Sequence, residues 1–363
     1  MDTTNPITGA LQQGIRDRVF PGAVLLVRCA GEVRYHQAVG SHSPILPLRP
    51  ANRETVYDLA SLTKPLATGT GILCLVQDGR LDLEESIGTI LTELRGTLIA
   101  RATVRDILCH RSGLPGYRPY YQSVIGAGRE TSRQPMLAFI GKEPLEYEPR
   151  TKSLYSDLGF MLLGFAIERR TEQSLKRYCE ERIFGPLRAY PLAYREVLSV
   201  DADHTSPIAP TEQDPWRGRL LQGEVHDENA YVLGGVAGHA GLFGTALAVS
   251  SITQAWLNAY HGRESLLDSQ LVRQFVSRQA MPCDSSWALG WDTPSSPSSS
   301  GKYFSASSFG HLGFTGTSIW IDPEAELEVI LLTNRVHPTR ENNNIREFRP
   351  MIHDVVYEKI IDG

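Results

Sequence analysis

From residue 66 to residue 76 the chain reads Leu-Ala-Thr-Gly-Thr-Gly-Ile-Leu-Cys-Leu-Val, and no charge follows until Asp78. A helix that is apolar on every side is buried rather than amphipathic, so this run predicts a buried helix. Residues 9–20 place Leu11, Ile15 and Val19 four apart, which predicts an amphipathic helix ended by Pro21-Gly22. Residues 157–169 predict another helix, with Phe160, Leu163, Gly164 and Ile167 on one face. Residues 175–183 predict a third, stopped at Gly185-Pro186, and residues 345–361 a closing helix with Met351, Val355 and Ile360 apolar. Residues 103–110 add a short helix among the loops of 81–116.

Strand patterns lie at the two ends of the chain. Residues 23–29 and 33–39 form a hairpin around Ala30-Gly31, and residues 309–320 and 327–333 flank the turn Asp322-Pro323-Glu324-Ala325. Three stretches lack periodicity: the Pro-rich segment 41–53, the Tyr/Gly-rich segment 118–133, and TPSSPSSSGKYFSASS at 293–308, read as a mobile loop. Strand-forming ends around a helical middle predict an α/β (α+β) fold. One antiparallel sheet, flanked by helices, is built from about 1–60 and 240–363, and about 61–239 forms an all-helical part. The whole of 1–363 is read as one domain, with a cleft between its two parts where a site would form.

Composition narrows the class. With 363 residues, 41% hydrophobic and 21% charged, the chain is an ordinary globular protein. A net charge of −5 argues against nucleic acid or an anionic membrane as the partner. No apolar run reaches ~18 residues, so no membrane segment is expected. The N-terminus has neither a basic nor an apolar leader region, so a cytoplasmic protein is expected; a chain already stripped of an export signal would read the same and be periplasmic. The five cysteines are scattered without zinc or redox spacing and read as free thiols. Oligomeric state is not legible.

The candidate chemistry begins at the start of the buried helix. Ser61-Leu62-Thr63-Lys64 puts a hydroxyl and an ammonium one turn apart on one face. A cation leading into a buried helix needs partners, and a Ser–Lys catalytic pair supplies them. The plainer alternative is a serine cap with the lysine reaching solvent. The same spacing recurs at Ser299-Ser300-Gly301-Lys302, in the Ser/Pro-rich loop, and is read there as coincidence. Two more stretches stand out: Leu154-Tyr155-Ser156-Asp157-Leu158-Gly159-Phe160, at a helix start, and Phe309-Gly310-His311-Leu312-Gly313-Phe314-Thr315-Gly316, in a Gly-bearing strand. Walker, GxSxG, HExxH and GxGxxG signatures are absent from the sequence, so no cofactor is called for. His226, Asp227 and His239 match no standard metal-ligand spacing and are read as a structural loop.

In this order the three motifs resemble those of the penicillin-recognising serine hydrolases: class C β-lactamases, D-Ala-D-Ala carboxypeptidases and their esterase relatives. Residues 108–117, 226–246 and 287–291 are similar to that family as well. The resemblance implies Ser61 as acyl-forming nucleophile, Lys64 as its proton-transfer partner and Tyr155 as base and then acid. It also implies His311-Leu312-Gly313 as the third motif, and the amides of Ser61 and Phe314 as oxyanion donors. The implied function is hydrolysis of a small-molecule or short-peptide ester or amide through an acyl-enzyme. Esterase or D-amino-acid peptidase chemistry ranks above β-lactam hydrolysis, and a penicillin-binding sensor without turnover is the alternative.

Two positions depart from the family pattern. Asp157 stands where asparagine is usual. A carboxylate only accepts hydrogen bonds, and beside Lys64 it favours the ammonium form. Tyr155 is then the expected base, with Lys64 lowering its pKa from the usual ~10. His311 replaces a lysine and Leu312 a threonine, which weakens anion binding by this motif. A charged His311 assisting near neutral pH is a further expectation.

Overall fold

The computed structural model describes residues 5–43, 49–124, 129–197 and 208–363, the side chains of 129 and 130 excepted. Strands β1 (Gly22–Cys29) and β2 (Glu32–Gly40) come from the N-terminal end, and β3 (Phe309–Leu312), β4 (Ser318–Asp322) and β5 (Leu327–Thr333) from the C-terminal end. They form one antiparallel sheet in the order β2-β1-β5-β4-β3. The register Ala23↔Thr333 through Cys29↔Leu327 joins the two ends of the chain.

Strand alternation explains why this sheet is buried on both faces. Val24 and Leu26 of β1 with Ile330 and Leu332 of β5 belong to the large core shared with the helical part. Ala23, Leu25 and Val27 with Val329 and Leu331 belong to a second core, closed by helices α1 (Pro6–Arg16) and α5 (Ile345–Tyr357). Buried helix α2 (Thr70–Gln77), α3 (Asp157–Thr171) and α4 (Ala246–Tyr260) contribute to the large core.

Several boundaries differ from the sequence reading. Helix α1 starts at Pro6, with the Asn5 side chain accepting from Ile7 N, and ends at Arg16. Residues 309–320 are not one strand. Gly313 and Gly316 have φ of +87° and +114°, conformations open to glycine, and the chain turns there into the β3–β4 hairpin. The Ser/Pro-rich stretch read as a mobile loop is packed: Ser300 and Ser308 are fully buried, and Ser305 Oγ donates to Asp322 at 2.6 Å. Helix Arg129–Lys142 occupies part of a segment read as irregular. Residues 44–48 and 125–128, within two of the loops read from sequence, lie outside the described residues.

Candidate active site

Ser61 does not cap the buried helix. It sits inside a 3-10 turn, Ala60–Leu62, which leads into a π-helical turn, Lys64–Gly69, and then α2. The preceding Ala60 has φ +48°, a left-handed conformation that costs an L-residue roughly 1–2 kcal/mol. Asp58 holds it there. Its Oδ1 accepts from Ala60 N at 2.8 Å and its Oδ2 from His226 N at 2.7 Å. Burial nevertheless raises the Asp58 pKa, against the lowering pull of those two amides. The Asp58 and Leu59 carbonyls accept from Thr315 Oγ1 and Thr317 Oγ1, so the Ser61 turn is tied to the β3–β4 turn.

Lys64 is fully buried, and its Nζ donates to Ser61 Oγ at 2.9 Å and to Asp157 Oδ1 at 2.6 Å. The His239 carbonyl accepts a longer bond at 3.4 Å. The ammonium also lies 4.6 Å from the Tyr155 ring centroid. Burial acts to lower the Lys64 pKa, but Asp157 and Tyr155 outweigh it and the net direction is upward. Lys64 is therefore an ammonium in the resting site. The Tyr155 phenol is raised as well: burial is the largest cause, and Lys64 and the Ser61 contact only partly oppose it. The expectation of a Tyr155 pKa brought below its ordinary value is thus corrected.

Tyr155 is placed by the aromatic surround. His110 packs 4.7 Å and Trp287 5.4 Å from its ring, centroid to centroid. His110 Nδ1 accepts from Ser156 N at 3.0 Å, and Ser156 Oγ in turn accepts from Gly159 N at the α3 start.

His311 is 2% exposed, and its Nδ1 donates to the Leu312 carbonyl at 2.8 Å. Burial first, then the Lys64 charge, push its pKa down to about 3. It is neutral at physiological pH, which corrects the expectation of a charged His311. Gly313 is required twice over. Its φ is positive, and a Cβ would overlap Thr317 Oγ1 and lie 2.6 Å from Leu59 O. The turn at 313–317 is held from behind by two arginines. Arg349 donates to the Gly313 and Thr317 carbonyls, each at 2.8 Å, and Arg335 Nε to the Phe314 carbonyl at 2.8 Å.

Ser61, Tyr155, Asp157, His311, Gly313 and Phe314 all line one cleft of about 610 Å³, with Lys64 directly beneath. Asp58, His110 and the two arginines carry no site role in the sequence reading, although 108–117 is marked there as similar to the family. Asp58 adjoins the Ser61 motif, so proximity was the one available signal. Ser299 has no such setting: its Oγ accepts from Trp320 Nε1 at 3.2 Å, and Lys302 is exposed. His239 Nε2 bonds Asp227 Oδ1 at 2.8 Å. Among the described residues no group of three or more metal-ligating side chains converges, and no helix is long and apolar enough to cross a membrane.

A hydroxyl bonded to a buried ammonium, on this sheet-and-helix frame, defines a serine hydrolase of the β-lactamase/DD-peptidase type, acting through an acyl-enzyme on an ester or amide. The chain belongs to the β-lactamase family, whose model matches residues 7–349. It is 36% identical over 362 residues to an N-acetylmuramyl-L-alanine amidase of Bacillus subtilis, spanning 90% of this chain and 81% of that one. A Salmonella gallinarum protein provisionally named a D-alanyl-D-alanine carboxypeptidase is 35% identical over 324 residues, 82% of this chain and 73% of that one. The fold is that of a hydrolase with promiscuous acyltransferase activity (TM-score 0.76, 20% identity, 98% of each chain). It is equally that of a simvastatin synthase from Aspergillus terreus (TM-score 0.75, 20% identity, 100% of each chain).

Proposed function

We propose that the protein is a peptidase, amidase or esterase in which Ser61 Oγ attacks the substrate carbonyl, forming an acyl-enzyme that water then cleaves. The observation carrying this reading is the 2.9 Å contact from the Lys64 ammonium to Ser61 Oγ, with Asp157 closing the ion pair. Tyr155 and Lys64 act as one proton-transfer unit. Loss of a proton from this unit gives a phenolate beside an ammonium, and that phenolate takes the Ser61 proton as the new C–O bond forms. The same proton is handed to the leaving group as the acyl bond breaks. The Ser61 and Phe314 amides stabilise the oxyanion, a contribution of about 2.7–4 kcal/mol per donor in comparable enzymes. The names of the relatives support small amide or short-peptide substrates. Asp157 disfavours N-acylated β-lactams, since it has no amide to donate to a substrate carbonyl.

Labelling with a fluorophosphonate and with a fluorescent penicillin, followed by mass spectrometry, tests the assignment. Modification at Ser61, lost in Ser61→Ala, is expected; modification elsewhere overturns it. A burst of acylation with no steady turnover on esters or amides would instead indicate a penicillin-binding sensor. Asp157→Asn is expected to move preference toward a cephalosporin and away from a short p-nitrophenyl ester, and an unchanged ratio would refute the role given to Asp157.

A further inference from the structure

Among the carboxylates that line the cleft, Asp157 is held by Lys64, Asp227 by His239 and Glu228 by Arg340. Asp292 lines the same cleft and forms no ion pair among the described residues. Its Oδ1 accepts from Ser286 Oγ at 2.6 Å and from Thr293 N at 3.0 Å, and neither donor is charged. Burial raises its pKa to about 6, against the pull of those two bonds and of Arg278. Arg278 itself donates to Thr293 Oγ1 and to the Pro294 carbonyl. A half-buried carboxylate without a partner cation is costly, and here the missing cation borders the space a substrate enters.

The backbone fixes where this carboxylate stands. Asp292 N donates to Gly310 O at 2.8 Å and Gly310 N to Asp292 O at 2.9 Å, on the outer edge of β3 and next to His311. Asp292 also opposes Trp287 in an antiparallel bridge. Directly opposed side chains share a face, and both of these line the cleft. The Trp287 ring lies 5.4 Å from Tyr155 and 5.6 Å from His311, centroid to centroid, so the pair stands on the Tyr155 side of the cleft. A carboxylate beside an indole attracts an ammonium twice, through charge-assisted hydrogen bonds and through the negative face of the ring. His311 is neutral and puts no competing cation there.

We propose that the substrate carries an ammonium group that binds between the Asp292 carboxylate and the Trp287 ring while Ser61 attacks the scissile carbonyl. This rests on Ser61 being the nucleophile of the same cleft. Asp292→Asn keeps the shape of the side chain, and its amide oxygen can still accept from Ser286 and Thr293, so the charge alone is removed.

The test compares esters in isosteric pairs. 3-(Aminomethyl)phenyl acetate against 3-ethylphenyl acetate carries the charge on the leaving side, and phenyl 6-aminohexanoate against phenyl heptanoate carries it on the acyl side. Each kcat/KM is normalised to the rate of the same ester with hydroxide. In at least one pair the cationic ester is expected to exceed its neutral partner by about 10-fold or more, the range of a charge-assisted contact. Asp292→Asn should reduce that ratio at least about fivefold, and Asp292→Glu should keep part of it. A ratio cancels any general loss of activity in the variant. Benzylamine, which needs no variant, should inhibit hydrolysis of phenyl acetate more strongly than benzyl alcohol by about the same 10-fold. A ratio unchanged in Asp292→Asn, or benzylamine no better an inhibitor than benzyl alcohol, overturns the proposal. If no ester is hydrolysed and Ser61 resists the fluorophosphonate, the hydrolase reading itself fails, and calorimetric binding of benzylamine to the wild type and to Asp292→Asn still decides the ammonium site.

Discussion

Asp157 sets the protonation of the site. Burial raises Tyr155 first and the Asp157 carboxylate adds to it, while the same carboxylate raises Lys64 against burial, so the resting pair is ammonium and phenol, and in the proposed mechanism this pair must lose a proton before Ser61 can attack. The rate should therefore climb with pH on the alkaline side of neutrality. Asp157→Asn removes a charge that raises both groups, so the midpoint of that limb should move to lower pH by about 1 unit or more. A kcat/KM profile on a neutral ester measures it, and a limb that stays in place or moves upward refutes the account. His311 sets no limb between about pH 5 and 8, because its transition lies near pH 3. The profile of His311→Asn should keep its shape there even where the rate falls.

At the scale of elements, the site hangs on two turns that touch: the Ala60–Leu62 turn and the turn at 313–317. Gly313→Ala places a methyl group against Thr317 and Leu59 O in a backbone that already has positive φ. We expect a loss of about 1–3 kcal/mol of stability and a larger loss of kcat than the fold change alone explains, read by thermal melting beside ester hydrolysis. The three motifs were legible because reactive residue types stand at fixed spacings: Ser61 and Lys64 one turn apart, Tyr155 and Asp157 at a helix start. Their electrostatics were not. A histidine in a Gly-rich strand gives no sign in one dimension that it is buried beside an ammonium. The π-helical turn at Lys64–Gly69 was likewise hidden, since an all-apolar run lacks the polar face that reveals helical pitch. Arg335 and Arg349 look like surface arginines until the C-terminal helix folds against the face of the sheet.

Across the whole molecule, several buried histidines make stability depend on acid. His353 is fully buried, its Nδ1 donates to Ser299 O at 2.8 Å, and burial lowers its pKa to about 4. Its folded pKa lies below the unfolded value of about 6.5, so the unfolded chain binds the proton first. The contribution is complete above pH 6.5 and is lost as pH falls toward 4. Glu328 and Asp292 act in the opposite sense, because burial raises both and their penalty is relieved as they protonate. His353→Gln should remove up to about 1.4 kcal/mol per pH unit from the slope of unfolding free energy between pH 6.5 and 4. Denaturant titrations at a series of pH values would check this, and an unaltered slope would count against it. The pairing of β1 with β5 carries a last consequence, for biosynthesis. Ser61 leaves the ribosome long before β5, which pairs with β1, and before Arg335 and Arg349, which brace the turn at 313–317. Hydrolase competence is therefore expected only after residues up to Arg349 have left the exit tunnel.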